Sequence, residues 1–263
     1  MMTGSLSSVD KAKLTAAMRS VEYIEDGMCV GLGTGSTSSW MIRCLGLKAR
    51  RENLNLTCVP TSNSTEKLAR QVGLKTIDAD KVKEMDVTID GADQVDGEFT
   101  LVKGGGGALL REKIIASSSS LMIVIADSGK RVETLGAYPL PVEVAPFGLP
   151  ITKSQIDDVL GSLNYISRSI GLRMNGSKPF ATDGGNHILD LNLARIGNAG
   201  VLSSHLNMVP GVVENGLFVN MCDIGIFADD KGTVETRNVK EGDTRTDDAD
   251  MHAFDALVAE LGI

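Results

Sequence analysis

This chain is short of the residues that mark redox, metal, nucleic-acid or membrane chemistry, and each shortage removes a class of function. Its four cysteines, Cys29, Cys44, Cys58 and Cys222, form no Cys-x-x-Cys pair, and three sit in apolar surroundings. They read as buried free thiols of a reducing compartment, which excludes a disulfide framework and a zinc site. The net charge is −8 with no basic tract to offset it, so nucleic acid is not a favoured partner. An anionic substrate must then be met by a few placed lysines and by backbone amides. The longest clean apolar run, Leu121–Ala126, is far shorter than a membrane span. The opening residues Met1–Ser8 lack the charged and apolar regions of a signal peptide. A cytoplasmic protein is expected, with no membrane partner. His187, His205 and His252 read as structural or surface residues, because no Ser-His-Asp set in a nucleophile-elbow context accompanies them.

What remains is an ordinary globular composition, 42% hydrophobic and 23% charged over 263 residues. That length holds one large α/β domain or a large domain with a smaller one. Leu14, Ala17, Met18, Val21 and Ile24 form one helical stripe within Val9–Glu25, with Ser7 and Ser8 as candidate caps. Short apolar strands follow at Met28–Leu32, Leu56–Val59, Leu74–Ile77, Val87–Ile89 and Leu121–Ala126, with helices at Thr37–Leu47 and, after Thr61-Ser-Asn-Ser-Thr65, through about Val72. Continuous apolar strands alternating with helices predict a Rossmann-like, mostly parallel sheet with helices on both faces. Three prolines in Tyr138–Pro146 suit a domain crossing. The crossing includes a short strand at Val142–Val144, and beyond it come helices at Thr152–Leu163 and Ser203–Met208 and a strand at His187–Leu193. These predict a smaller α+β, ferredoxin-like domain over 138–214, set into a catalytic domain of 1–137 and 215–263. Gly216–Phe227 is apolar enough to return to the main sheet. The acidic remainder carries weak helical periodicity at Met251–Leu261.

Three loops follow predicted strands, and open α/β sheets bind ligands at the carboxyl ends of their strands. In Gly31-Leu-Gly33-Thr34-Gly35-Ser36-Thr37, Ser36 stands where a dinucleotide fingerprint needs its third glycine, and the Gly-Lys-Ser/Thr of a Walker A loop is absent. Its hydroxyls and amides suit a small phosphate at a helix N-terminus, or simply a tight turn. Asp90-Gly91-Ala92-Asp93 closes an apolar strand, so both carboxylates could face one pocket, though Asp and Gly also favour surface turns. A metal reading of Asp90, Asp93 and Asp96 lacks the EF-hand spacing and its partner glutamate.

The most informative segment is Lys103-Gly104-Gly105-Gly106-Gly107-Ala-Leu-Leu-Arg-Glu112. Successive glycines cost folding entropy and allow close backbone approach to a ligand, with amides aimed at an anion near the next helix. On a helical wheel Glu112 shares a face with Ala108, Leu109, Ile115 and Ala116. Glu112 therefore reads as a general base and Lys103 as its electrostatic partner. An apolar setting raises a carboxyl pKa and a nearby lysine lowers it, which leaves the direction open.

In order along residues 10–235, these pieces resemble type A ribose-5-phosphate isomerase. The resemblance rests on Gly33–Thr37, Thr61-Ser62, Thr65-Glu66-Lys67-Leu68, Asp90–Asp93, Lys103–Gly106, Glu112-Lys-Ile-Ile-Ala116, Ala126-Asp127 with Lys130, Pro139–Val144, Pro210-Gly-Val-Val213 and Gly216-Leu-Phe218. It implies interconversion of ribose 5-phosphate and ribulose 5-phosphate without metal or nucleotide cofactor, by a homodimer or homotetramer. Glu112 matches the base that moves the proton between C2 and C1, and Asp90 the residue that assists ring opening. Asp93 and Lys103 match groups that position sugar oxygens and stabilise an enediolate. Thr34, Gly35, Ser36 and Thr37, Asp90–Asp93 and Lys103–Gly106 match substrate-binding loops, and Lys130 a further binding lysine. Lys13 is a looser match to a phosphate-contacting lysine.

Two features depart from the family pattern, a C-terminal extension and a longer loop at Arg173–Phe180. Neither touches the matched motifs, so they bear on oligomer geometry more than on chemistry. The alternatives are another sugar-phosphate enzyme of similar fold, such as an amino-sugar phosphate deaminase or a lactonase, and a sugar-phosphate sensing domain. The first helix begins too early for a preceding DNA-binding helix pair.

Overall fold

Runs of β-branched and aliphatic residues bounded by glycine and polar turns set the strands of the chain, seen here in a computed structural model that describes residues 6–262. The opening residues read for a signal peptide fall largely on 1–5, outside the described residues. In the first half, α1 (Ser8–Ser20), β1 (Cys29–Leu32), α2 (Ser36–Glu52), β2 (Thr57–Pro60) and α3 (Asn63–Gln71) lead to β3 (Met85–Gly91). Two short strands, β4 (Gln94–Val95) and β5 (Leu101–Val102), precede α4 (Leu109–Ser117) and β6 (Ser119–Asp127). Then come β7 (Leu140–Val144), α5 (Leu149–Ser162), β8 (Ser169–Leu172), β9 (Met174–Asn175), β10 (Lys178–Pro179) and β11 (His187–Asn192). The chain ends with α6 (Ala199–Asn207), β12 (Val212–Asn215), β13 (Leu217–Phe218), β14 (Ile224–Ala228), β15 (Thr233–Asn238), β16 (Thr244–Asp248) and α7 (Met251–Leu261).

By packing the chain divides into two units. The first comprises 1–91, 114–130 and 221–263, and the second 92–113 and 131–220. The first holds a seven-stranded sheet in the order β16-β15-β14-β6-β3-β1-β2. The five strands from β2 to β14 are parallel, and β15 and β16 add antiparallel strands at one edge. Alternate strand residues such as Val30, Leu32, Val87, Ile89, Ile123 and Ile125 join Leu14, Met41 and Leu45 of α1 and α2 in one buried cluster. On the opposite face Ile115 of α4 packs with Val59 and Met85, close to Gly31, where a Cβ would stand 2.7 Å from the Ile115 side chain. Helices thus cover both faces, as the apolar strands require.

The second unit holds a four-stranded antiparallel sheet in the order β12-β7-β11-β8, with α5 after β7 and α6 after β11. That is the ferredoxin-like βαββαβ succession. A three-stranded sheet, β13-β5-β4, lies in the same unit.

Several local expectations change. Leu74–Ile77 forms no strand; one parallel bridge, Cys58 to Thr76, is all that pairs there. A single bridged position makes no ladder, so the segment stays a loop. Of the Gly216–Phe227 stretch only the part from Ile224 onward enters the main sheet, as Ile224–Ala228, while Leu217–Phe218 pairs with β5. The acidic tail yields two strands that its polarity concealed, because antiparallel strands need only one buried face. Asp250 caps α7, and Phe254 and Leu257 are buried in the first unit's core, worth about 1.5–3 kcal/mol each. Burial pushes the thiols of Cys44, Cys58 and Cys222 up to about 12, so they stay protonated and inert. Among the described residues no helix is long and apolar enough to cross a membrane, and no group of three His, Cys, Asp or Glu is placed to hold a metal.

Candidate active site

In the first unit the strand order reverses between β1 and β3, since β2 lies on the outer side of β1. Such a switch point opens a crevice at the carboxyl ends of the strands. Asp90 closes β3 there and is fully buried. Its Oδ1 accepts the Thr34 N–H at 3.1 Å, the Ser38 hydroxyl at 3.0 Å and the Gly91 N–H at 2.7 Å. One carboxylate oxygen therefore ties the β1 loop, the first turn of α2 and the end of β3. Gly33 permits this, because a Cβ on it would stand 2.0 Å from that oxygen.

The Thr34 hydroxyl is engaged in a hydroxyl cluster, 2.7 Å from Thr61 Oγ1, 2.8 Å from Ser62 Oγ and 3.0 Å from Thr65 Oγ1. Thr61 and Thr65 in turn donate to the carbonyls of Leu32 and Gly33, at 3.0 Å each. The β1 and β2 loops are stitched together, and exposed Gly35 and Ser36 with Thr37 form the N-terminus of α2. A long helix presenting its first amides there favours an anion. Lys130 follows β6, the strand beside β3, in a short 3-10 turn and is partly buried.

The second unit gathers Asp93, Lys103, the glycines and Glu112. The Asp93 N–H bonds the Val102 carbonyl at 2.8 Å, and the Lys103 N–H bonds Gly216 at 2.9 Å. Both residues are thereby fixed at the ends of the three-stranded sheet. Gly104 and Gly107 take left-handed φ values of +105° and +80°, and a Cβ on Gly105 would meet the Asp93 carboxylate at 2.6 Å. The Gly105 N–H donates to Asp93 Oδ2 at 2.7 Å. Glu112 lies in the first turn of α4, whose neighbours Ala108, Leu109, Ile115 and Ala116 are buried as the wheel predicted. Lys103 Nζ stands 3.6 Å from Glu112 Oε2, each side chain only 3% exposed. Ala92 opens this unit, so the bond from Gly91 to Ala92 carries the chain from one set of residues to the other.

Lys113 and Phe218 lie in the matched motifs without an assigned role, and Glu214 carries no signal in the sequence. The Phe218 ring lies 5.4 Å from Lys103 Nζ and 4.9 Å from Lys113 Nζ, within cation–π reach of both. Lys113 Nζ also reaches Glu214 at 2.9 Å and the Asn215 carbonyl at 2.6 Å. Burial holds the Lys113 ammonium below its usual range despite that partner. For Glu214 burial acts upward, but hydrogen bonds from Lys113, the Asn215 N–H and Asn207 outweigh it and lower its pKa. The folded value therefore lies below the unfolded one. Glu214's contribution to stability is complete above 4.5, its ordinary value, and is lost as pH falls through the folded value. The melting temperature of the wild type should then drop more steeply below that pH than that of Glu214→Gln; parallel curves would remove the assignment. The Arg173–Phe180 stretch is also corrected: Arg173 Nη1 donates to the carbonyls of Gly104 at 2.8 Å and Gly105 at 3.2 Å. No spacing rule links residues so far apart, so only the fold shows it.

A mostly parallel sheet with loops at the carboxyl ends of its strands in one unit, and a buried carboxylate–ammonium pair beside a glycine run in the other, are features of an α/β enzyme. Residues 57–232 match the family model of ribose 5-phosphate isomerase A (phosphoriboisomerase A). Ribose-5-phosphate isomerase A of Ruegeria pomeroyi is 53% identical over 260 residues, 99% of each chain. The acidic C-terminal stretch is therefore shared with that relative. Ribose 5-phosphate isomerase from Plasmodium falciparum superposes with a TM-score of 0.79 at 32% identity, covering 92% of this chain and 99% of that one. A D-ribose-5-phosphate isomerase in complex with phospho-erythronic acid gives 0.77 at 34% identity, covering 92% and 100%. The chain belongs to the ribose 5-phosphate isomerase A family, isomerases that interconvert ribose 5-phosphate and ribulose 5-phosphate.

Proposed function

We propose that Glu112 is the base of this isomerisation and that the reaction passes through an enediolate. The buried Lys103–Glu112 pair carries the reading. A carboxylate held in a dry setting beside a fixed cation supplies both a proton acceptor and a stabiliser for negative charge on oxygen.

The proton ledger closes with the residues named. Ring opening moves a proton from the anomeric hydroxyl, breaks the bond between C1 and the ring oxygen, and leaves that oxygen protonated; Asp90 assists. Glu112 then removes the C2 proton, and the electron pair forms the C1–C2 double bond while charge collects on O1. Lys103 and Asp93 hold the two sugar oxygens, between which one proton passes from O2 to O1. Protonated Glu112 returns its proton to C1, and the carbonyl forms at C2. Substrate and product are isomers, so no external oxidant, reductant or cofactor enters the balance.

The phosphate is assigned to the α2 N-terminus, Gly35, Ser36 and Thr37, with Thr34 shaping the loop and Lys130 adding charge. The related structure in complex with phospho-erythronic acid supports a phosphorylated sugar as the substrate class. The reading extends to a cytoplasmic homodimer or homotetramer.

Protein treated with chelator should convert ribose 5-phosphate to ribulose 5-phosphate. In heavy water, deuterium should accumulate at C1 of the product over many turnovers. Conversion with no solvent deuterium in either sugar would point to hydride transfer and end the enediolate reading.

A further inference from the structure

We infer that Arg173 is a positioning residue for the reaction, holding the glycine run so that the Gly106 N–H serves as a donor to the substrate oxyanion. The inference rests on the proposed role of Lys103–Gly106 and Glu112.

The Arg173 side chain is 15% exposed, and its guanidinium is used from both sides. Its Nε donates to Asp190 Oδ2 at 2.9 Å and its Nη2 to Asp190 Oδ1, a fork that fixes its plane. Its Nη1 holds the carbonyls of Gly104 and Gly105. A trans peptide sets its N–H opposite its C=O, and the described chain has no cis peptide. The peptide joining Gly104 to Gly105 is thus gripped at both ends, Arg173 on its oxygen and Asp93 on its nitrogen at 2.7 Å. The next peptide is held by its Gly105 oxygen alone, so the Gly106 N–H is aimed away from Arg173. Gly106 is the exposed member of the run. A cation on the carbonyl also polarises that peptide and strengthens its N–H as a donor.

The hairpin of β9 and β10 completes the clamp. The Phe180 N–H bonds the Arg173 carbonyl at 2.9 Å, and the Phe180 ring lies so close to Gly107 that a Cβ there would stand 2.5 Å from it. Arg111, one residue before Glu112, reaches Asp183 at 3.4 Å. The 173–183 segment therefore shapes the glycine run and meets the first turn of α4 in one piece.

Arg173→Met should lower kcat by about 10- to 100-fold, because small misplacements of donors are costly in rate, with KM changed far less. It should also weaken inhibition by phospho-erythronic acid while leaving inhibition by inorganic phosphate as in wild type, a split that general loosening of the fold would not produce. Arg173→Lys should recover only part of kcat, since one ammonium cannot fork onto Asp190 and span two carbonyls; it carries the test if the Met variant does not fold. Wild-type kcat and wild-type inhibition in the folded variant would overturn the inference while leaving the isomerase reading intact. The assignment of Glu112 as base, on which the inference rests, fails separately, if Glu112→Gln retains full turnover.

Discussion

Glu112→Gln is expected to lower kcat by about 10²- to 10⁴-fold, the usual worth of a positioned general base, with KM for ribose 5-phosphate close to wild type. The substitution keeps the shape of the side chain but removes its charge and its ability to accept a proton, so contacts to the substrate's other groups persist while the proton-transfer step loses its acceptor. Deuterium exchange from solvent should fall in parallel with turnover, because both depend on the same proton removal. Inhibition by inorganic phosphate should not change, since the phosphate is assigned to the α2 N-terminus in the other unit. Turnover and exchange near wild type would move the base to another residue. A loss of turnover with exchange retained would separate proton removal from the slow step and remove Glu112 from the first of them.

How far the sequence carries can be read from particular residues. The strands β1, β3 and β6 were legible because a parallel sheet covered on both faces needs continuous apolar runs, and Val30-Gly-Leu32, Val87–Ile89 and Leu121–Ala126 supply them. Glu112 on the apolar side of a helix was legible from 3.6-residue periodicity alone. By contrast, Thr233–Asn238 and Thr244–Asp248 carry no such signal, because antiparallel strands can leave one face polar and solvated. Leu217–Phe218 resembled its apolar neighbours at 224–228 in composition, and only the pairing partner separates the two.

The same limit applies to the residues around the glycine run. Ser38 reaches Asp90 across 52 positions and Arg173 reaches Gly104 across 69, so neither contact leaves a local pattern. A buried serine one turn into α2 reads as a neutral helix residue, and an arginine before Met-Asn-Gly-Ser reads as part of a surface hairpin. Their meaning comes from which strands are neighbours, which is a property of topology. Motif order could therefore point to the chemistry while the supports of that chemistry stayed hidden. Asp90 illustrates the difference: its place after an apolar strand marked it for the site, but its organising bonds to Thr34, Ser38 and Gly91 emerge only when β1 and β3 lie side by side.

Lys103→Met should damage both stability and rate, for separable reasons. Lys103 and Glu112 are each 3% exposed and 3.6 Å apart, and removing one partner of such a pair leaves a buried charge without its counter-charge, at a cost of about 3–5 kcal/mol. The Phe218 ring also loses one of its two cations, though Lys113 remains 4.9 Å from it. In the proposed reaction Lys103 faces developing charge on oxygen, and loss of such a donor lowers kcat by about 10²- to 10³-fold. The double variant Lys103→Met/Glu112→Gln distinguishes the two effects. With both charges gone no ion is left buried alone, so its unfolding midpoint should recover toward wild type, and the two substitutions should be strongly non-additive in stability. Turnover should not recover, because base and stabiliser are both absent. Additive losses of stability would mean that the two charges do not depend on one another, and the pair would then lose its claim to be the reacting end of the site.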